Sequence, residues 1–109
     1  MEIFDEMLKE LNNEKILIES DVEEFFEDID PLIYEKYFKG VDVKNICTLD
    51  TDHHRWYTLA TSVIFIYGRY LGVRGICNVK SDSMSYDDCG CYYKFFEMKQ
   101  VESVTYIEI

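Results

Sequence analysis

Apolar positions at the start of the chain recur at helical spacing. Ile3, Phe4, Met7, Leu8 and Leu11 fall on one stripe, with Glu2, Asp5, Glu6, Lys9 and Glu10 opposite. That period predicts an amphipathic helix, stopped at Asn12-Asn13. Ile16-Leu17-Ile18 is short, apolar and largely β-branched, which predicts a strand. The stretch that follows supports two readings. Ser20 with Glu23 three residues on is a capping-box signature, and Val22, Phe25, Phe26 and Ile29 would share one helix face. Alternatively the chain turns at Glu19-Ser20-Asp21 and returns as a strand through Phe25 and Phe26. Local signals favour the helix. Asp30-Pro31 pairs an N-cap residue with proline at the first helical position, opening a short helix through Tyr34, Tyr37 and Phe38 to Gly40. Val41 to Ile46 then alternates as a strand.

From His54 the pattern changes period. Trp56 to Tyr67 is rich in Thr, Val, Ile, Phe and Tyr, Tyr67-Gly68-Arg69 can turn a hairpin, and Tyr70-Leu71-Gly72-Val73 begins the return. Asn78 to Asp88 is polar and rich in Ser and Asp, a loop whose length is uncommon without a role of its own. Tyr92 to Met98 and Val101 to Ile109 read as two further strands. The whole predicts an α+β fold over residues 1–109. An N-terminal helix and short acidic helices should pack on an antiparallel β-sheet of four or more strands.

Charge sharpens this picture. The 109 residues carry a formal net charge of −11, and 48% are apolar and 16% aromatic, so a packed core is within reach. Residues 1–52 hold 16 acidic and 5 basic side chains, a net −11, while residues 53–109 hold 6 of each and are neutral. The acidic half is mostly helical in pattern and the neutral half is a β-meander. Within the first, Glu19, Asp21, Glu23, Glu24, Glu27, Asp28 and Asp30 form a run without a single Lys or Arg. A chain of this charge lacks the cationic face that direct nucleic-acid binding needs. A row of unpaired carboxylates instead resembles a phosphate backbone and suits a cationic groove on another protein. No apolar run is long enough to span a bilayer, and the opening MEIFDEMLKE lacks the basic start and apolar stretch of a signal peptide. The expectation is a cytoplasmic protein with reduced thiols at Cys47, Cys77, Cys89 and Cys91.

The candidate chemistry is sparse. Structural zinc usually takes cysteine pairs separated by roughly two to four residues. Here Cys89-Gly90-Cys91 has a spacing of one, and Cys47 and Cys77 stand alone. Asp50, Asp52, His53 and His54 form a cluster with no phosphate-binding loop and no basic group nearby except Arg55, so a solvated strand end is the favoured reading. Ser81, Ser83 and Ser85 lack a nucleophile-elbow context. No catalytic residue, metal or cofactor is expected. In the long loop, Met84 and Tyr86 are apolar groups in a hydrophilic setting, suited to anchoring in a partner's pocket.

Four stretches carry a resemblance: HRWYTLATSVIFIYGRYLGVRG from His54, SDSMSYDD from Ser81, FFEM from Phe95 and SVTY from Ser103. Together they cover most of residues 54–106. The chain resembles the small acidic accessory proteins of phages and mobile elements, anti-CRISPR proteins above all. That resemblance implies a non-enzymatic inhibitor of a host nucleic-acid-handling protein, a CRISPR effector in particular. The partner-binding residues expected are the seven carboxylates above with Met84 and Tyr86. A phage structural or assembly accessory protein, acting through its sheet or as a homo-oligomer, is the alternative from another class, and a small zinc-binding adaptor is a third.

Overall fold

Tyr67 and Gly68 both take positive φ, 54° and 76°, the geometry of a two-residue type I′ hairpin turn. Gly68 adopts it without a Cβ penalty. The turn joins β2 (Thr58–Ile66) to β3 (Arg69–Cys77), with Ile66 paired to Arg69. In the computed structural model, which describes residues 2–53, 58–77, 92–101 and 105–109, three more strands complete the sheet. They are β1 (Lys44–His53), β4 (Lys94–Val101) and β5 (Thr105–Glu108). The order is β1-β2-β3-β4-β5, and every neighbouring pair is antiparallel. The expected α+β architecture is therefore present. Its first strand comes from the acidic half of the chain.

Three helical pieces cover one face of the sheet: α1 (Ile3–Asn13), a 3-10 helix (Val22–Glu27) and α2 (Pro31–Tyr37). Phe4, Met7 and Leu11 of α1, Val22 and Phe25 of the 3-10 helix, and Ile33 and Tyr37 of α2 pack against Ile64, Ile66, Leu71, Val73 and Phe95. Burying each of the larger side chains is worth about 1.5–3 kcal/mol. A Cβ on Gly75 would lie 2.8 Å from the Tyr93 ring and 3.0 Å from Val22, so the bare backbone there lets the 3-10 helix approach the sheet.

Arg69, just past the hairpin turn, fastens α1 to the sheet. Its guanidinium donates to Glu97 at 2.6 and 2.8 Å, to Asp5 at 3.1 and 3.2 Å, and to Glu2 at 3.2 Å. It also stands over the Phe4 ring at 4.3 Å.

A second cluster lies on the opposite face of the sheet. Val63, Phe96 and Met98 are buried there, with Cys47, Leu49, Tyr70 and Tyr106 against them. Cys47 and Tyr106 belong to opposite edge strands, so the sheet curls to bring both onto one cluster. Gly72 permits the curl, since a Cβ there would sit 2.6 Å from both Phe96 and Met98. Arg74 stacks its guanidinium over Phe96 at 5.0 Å, and its Nε is buried with no hydrogen-bond acceptor among the described residues. Its cross-strand partner is another cation, Lys94. A buried donor without a partner costs about 1–3 kcal/mol. Arg74→Met keeps the apolar stem and removes the donor, so it should raise the free energy of unfolding by up to about 1 kcal/mol in urea. A fall of more than about 1 kcal/mol would mean that the guanidinium makes a contact the fold needs.

Several expectations need correction. Ile16-Leu17-Ile18 does not form a strand: it makes one bridge, Leu17 to Tyr92, with the Tyr93 N–H donating to the Ile16 carbonyl at 2.9 Å. Two residues beyond Tyr93, the Asn12 carboxamide takes both backbone groups of Phe95, at 2.8 and 3.1 Å, and so fastens the end of α1 to the sheet. The Ser20 segment is helical, as the favoured reading had it, but as a 3-10 turn with a break at Glu24. The Ser20–Glu23 capping box does not form: Asp21 is the cap, accepting from the Glu23 N–H at 3.0 Å. Asp30 caps α2 as predicted, accepting from the Leu32 N–H at 2.8 Å. The strand expected from Val41 starts only at Lys44. The loop Asn78–Asp88 with Met84 and Tyr86, the cysteines Cys89 and Cys91, and His54 lie outside the described residues. So do the side chains of Asp50, Asp52, His53 and Cys77. Among the described residues no helix is long and apolar enough to cross a membrane.

Candidate functional site

The 3-10 helix, the turn after it and α2 place the seven carboxylates of residues 19–30 in two roles. Asp21 and Asp30 cap helices through backbone N–H groups. Asp28 ties the segment down. It accepts from the Glu19 N–H at 3.0 Å, the Ser20 hydroxyl at 3.0 Å and the Tyr93 hydroxyl at 2.6 Å. The other four, Glu19, Glu23, Glu24 and Glu27, are exposed. Among the described residues no Lys or Arg pairs with any of the seven.

Three cations of the described residues pair with other carboxylates. Lys36 meets Glu10 at 3.1 Å, Lys39 lies 4.0 Å from Glu35, and Arg69 serves Glu97, Asp5 and Glu2. Three of the four exposed carboxylates, Glu23, Glu24 and Glu27, ride on a 3-10 helix that rises about 2 Å per residue, so they lie within a short arc and keep a negative field at the surface.

Beside that arc runs an apolar groove of about 380 Å³, lined by Phe26, Glu27, Ile29, Pro31 and Tyr34. It lies where the 3-10 helix gives way to α2, whose start Asp30 caps, and the Phe26 ring faces α2 there. Phe26 meets Phe38 at 5.0 Å and Tyr34 at 5.8 Å, both edge-on, while its other neighbour Phe25 stacks at 4.3 Å inside the core. Tyr34 remains 40% exposed. Aromatic rings that are half-wet and rimmed by charge are the usual makings of a protein-binding surface.

Two other depressions are polar. One lies between the 3-10 helix and the edge strand β1, lined by Glu23, Asn45, Ile46, Cys47, Thr48 and Ser62. The second lies between α1 and α2, where the Tyr37 hydroxyl donates to Glu10 beside Lys36. The Tyr37 hydrogen bond, helped by Lys36, holds the Glu10 carboxyl below its ordinary range, and burial pushes the Tyr37 hydroxyl up. Both groups are thereby held in their ordinary charge states at neutral pH, unsuited to acid–base exchange there. Burial also pushes the Cys47 thiol up, away from the thiolate that nucleophilic chemistry requires. Among the described residues no three His, Cys, Asp or Glu side chains converge as a metal site would need.

The structure thus divides the sequence-predicted carboxylates between holding the fold and facing solvent. Met84 and Tyr86 fall outside the described residues. No local pattern marks the groove as a whole: Phe26 and Ile29 share a predicted helix face, Tyr34 lies in the next predicted helix, and only the tertiary fold sets them together. One signal was present: Pro31 and Tyr34, three apart at a helix start, point the same way.

No family model matches the chain, and no curated protein or solved structure matches it either. The fold and the site define an α+β protein with a five-stranded meander and an acidic face set around an aromatic groove.

Proposed function

We propose that this protein is a non-enzymatic inhibitor that binds a nucleic-acid-handling protein of the host. It does so by laying its acidic face into the cationic groove where that protein holds phosphates. The observation that carries the reading is the set of exposed carboxylates, Glu19, Glu23, Glu24 and Glu27, which no cation of the described chain neutralises. Self-repulsion of this kind is normally relieved by interleaved Lys or Arg. Left in place, it steers association with a basic surface and makes that association fast and salt-sensitive. A CRISPR effector is the narrowest form of the target, and it follows from the resemblance of residues 54–106 rather than from the acidic face.

The test is capture from bacterial lysate on the immobilised protein, with and without added DNA or RNA. The expected result is a nucleic-acid-binding protein that competing nucleic acid displaces. Inhibition of DNA binding by a guide-loaded CRISPR nuclease then tests the narrow form. Partners that bind equally well with excess nucleic acid present would overturn the mimicry.

A further inference from the structure

We infer that the groove between the 3-10 helix and α2 grips the partner by taking an apolar side chain from a cationic protein segment. This rests on the acidic-face reading and names what that face must meet. The floor of the groove is apolar: Phe26, Ile29, Pro31 and Tyr34. Its wall is anionic at Glu27, and Asp28 and Asp30 flank Ile29 in the chain.

This combination selects among occupants by charge. A neutral apolar segment would strip water from the carboxylates without replacing it. Nucleic acid or an anionic membrane would be repelled, and a second copy would set like charges face to face. A segment with Leu, Ile or Phe flanked by Lys or Arg satisfies both parts. Its cations also find the exposed ring of Tyr34.

The two parts then divide the kinetics. Exposed glutamates set how fast the partner arrives, while the groove sets how long it stays. The cationic groove of the target therefore carries an apolar side chain next to its phosphate-binding residues.

The test uses the full chain, isotope-labelled, and two synthetic helical peptides of equal length and charge, one of Leu and Lys and the other of Ser and Lys. Both should bind through the acidic face, the Leu/Lys peptide about tenfold or more tighter. Only that peptide should shift the resonances of Phe26, Ile29 and Tyr34. Tyr34→Ala should erase the difference between the peptides. Glu27→Lys, an exposed change on the groove wall, should weaken both. Leu32→Ser changes a side chain that is 75% exposed but does not line the groove, and it should leave the difference intact.

Equal affinities for the two peptides would overturn this inference while leaving the acidic-face reading standing. So would a Leu/Lys advantage that survives Tyr34→Ala, or one that maps to other residues. If neither peptide binds, both readings fall.

Discussion

Phe25→Ala should lower the free energy of unfolding by about 3–5 kcal/mol, the usual cost of emptying a fully buried aromatic site. Phe25 is 1% exposed and is the hub of the aromatic core. Its ring stacks on Phe26 at 4.3 Å and meets Phe95, Phe38 and Tyr93 edge-on at 6.1, 6.4 and 6.4 Å. The 3-10 helix that carries it is too short to hold itself, because its stability comes from packing rather than propensity. A domain of this kind is stable by about 5–15 kcal/mol, so the loss is a large share of the total. Urea denaturation should show the midpoint falling at a preserved slope. A loss under about 1 kcal/mol would mean that the 3-10 helix lies outside the cooperative core. The acidic face would then not be rigidly held, and the docking geometry would lose its support.

The second large effect is on binding. Replacing Glu19, Glu23, Glu24 and Glu27 by Gln removes four charges while keeping size and polarity. The choice of positions matters. Asp28 is left in place because it holds Glu19, Ser20 and Tyr93 together, and Asp21 and Asp30 because they cap helices. Association with a cationic nucleic-acid groove should slow by about tenfold or more at low salt. The difference from the unaltered protein should shrink as salt rises, since exposed charges are screened over about 8–10 Å at physiological ionic strength. Stability should be unchanged or slightly higher, because local repulsion is relieved. Stopped-flow association across a salt series reads the effect. If the variant associates as fast as the parent at every salt concentration, the carboxylates are a solvated surface and the mimicry is wrong.

Features decided by contacts a few residues apart could be read directly from the sequence. The stripe of Phe4, Met7 and Leu11 defines α1, the Asp30-Pro31 pair starts α2, and Tyr67-Gly68 turns the central hairpin. In each case the deciding interaction is a cap, a period or a backbone torsion that neighbours supply. The division of charge between the two halves is likewise visible without a structure.

The tertiary structure decided the rest, because there a distant group competes with a local one. Ser20 and Glu23 match a capping box. Ser20 instead donates to Asp28, whose carboxylate is held by Tyr93, 65 residues along the chain, so the cap passes to Asp21. Ile16 to Ile18 has the composition of a strand, yet its contact with the sheet is the single bridge from Leu17 to Tyr92. The sheet's curl depends on Gly72 lying under Phe96 and Met98, a match no local pattern encodes. The same holds for the site. Seven carboxylates in a row could be counted from the sequence, but their hydrogen-bond partners sort them into three that hold the fold and four that face solvent. The groove beside them is formed where Phe26 of one short helix packs against Tyr34 and Phe38 of the next.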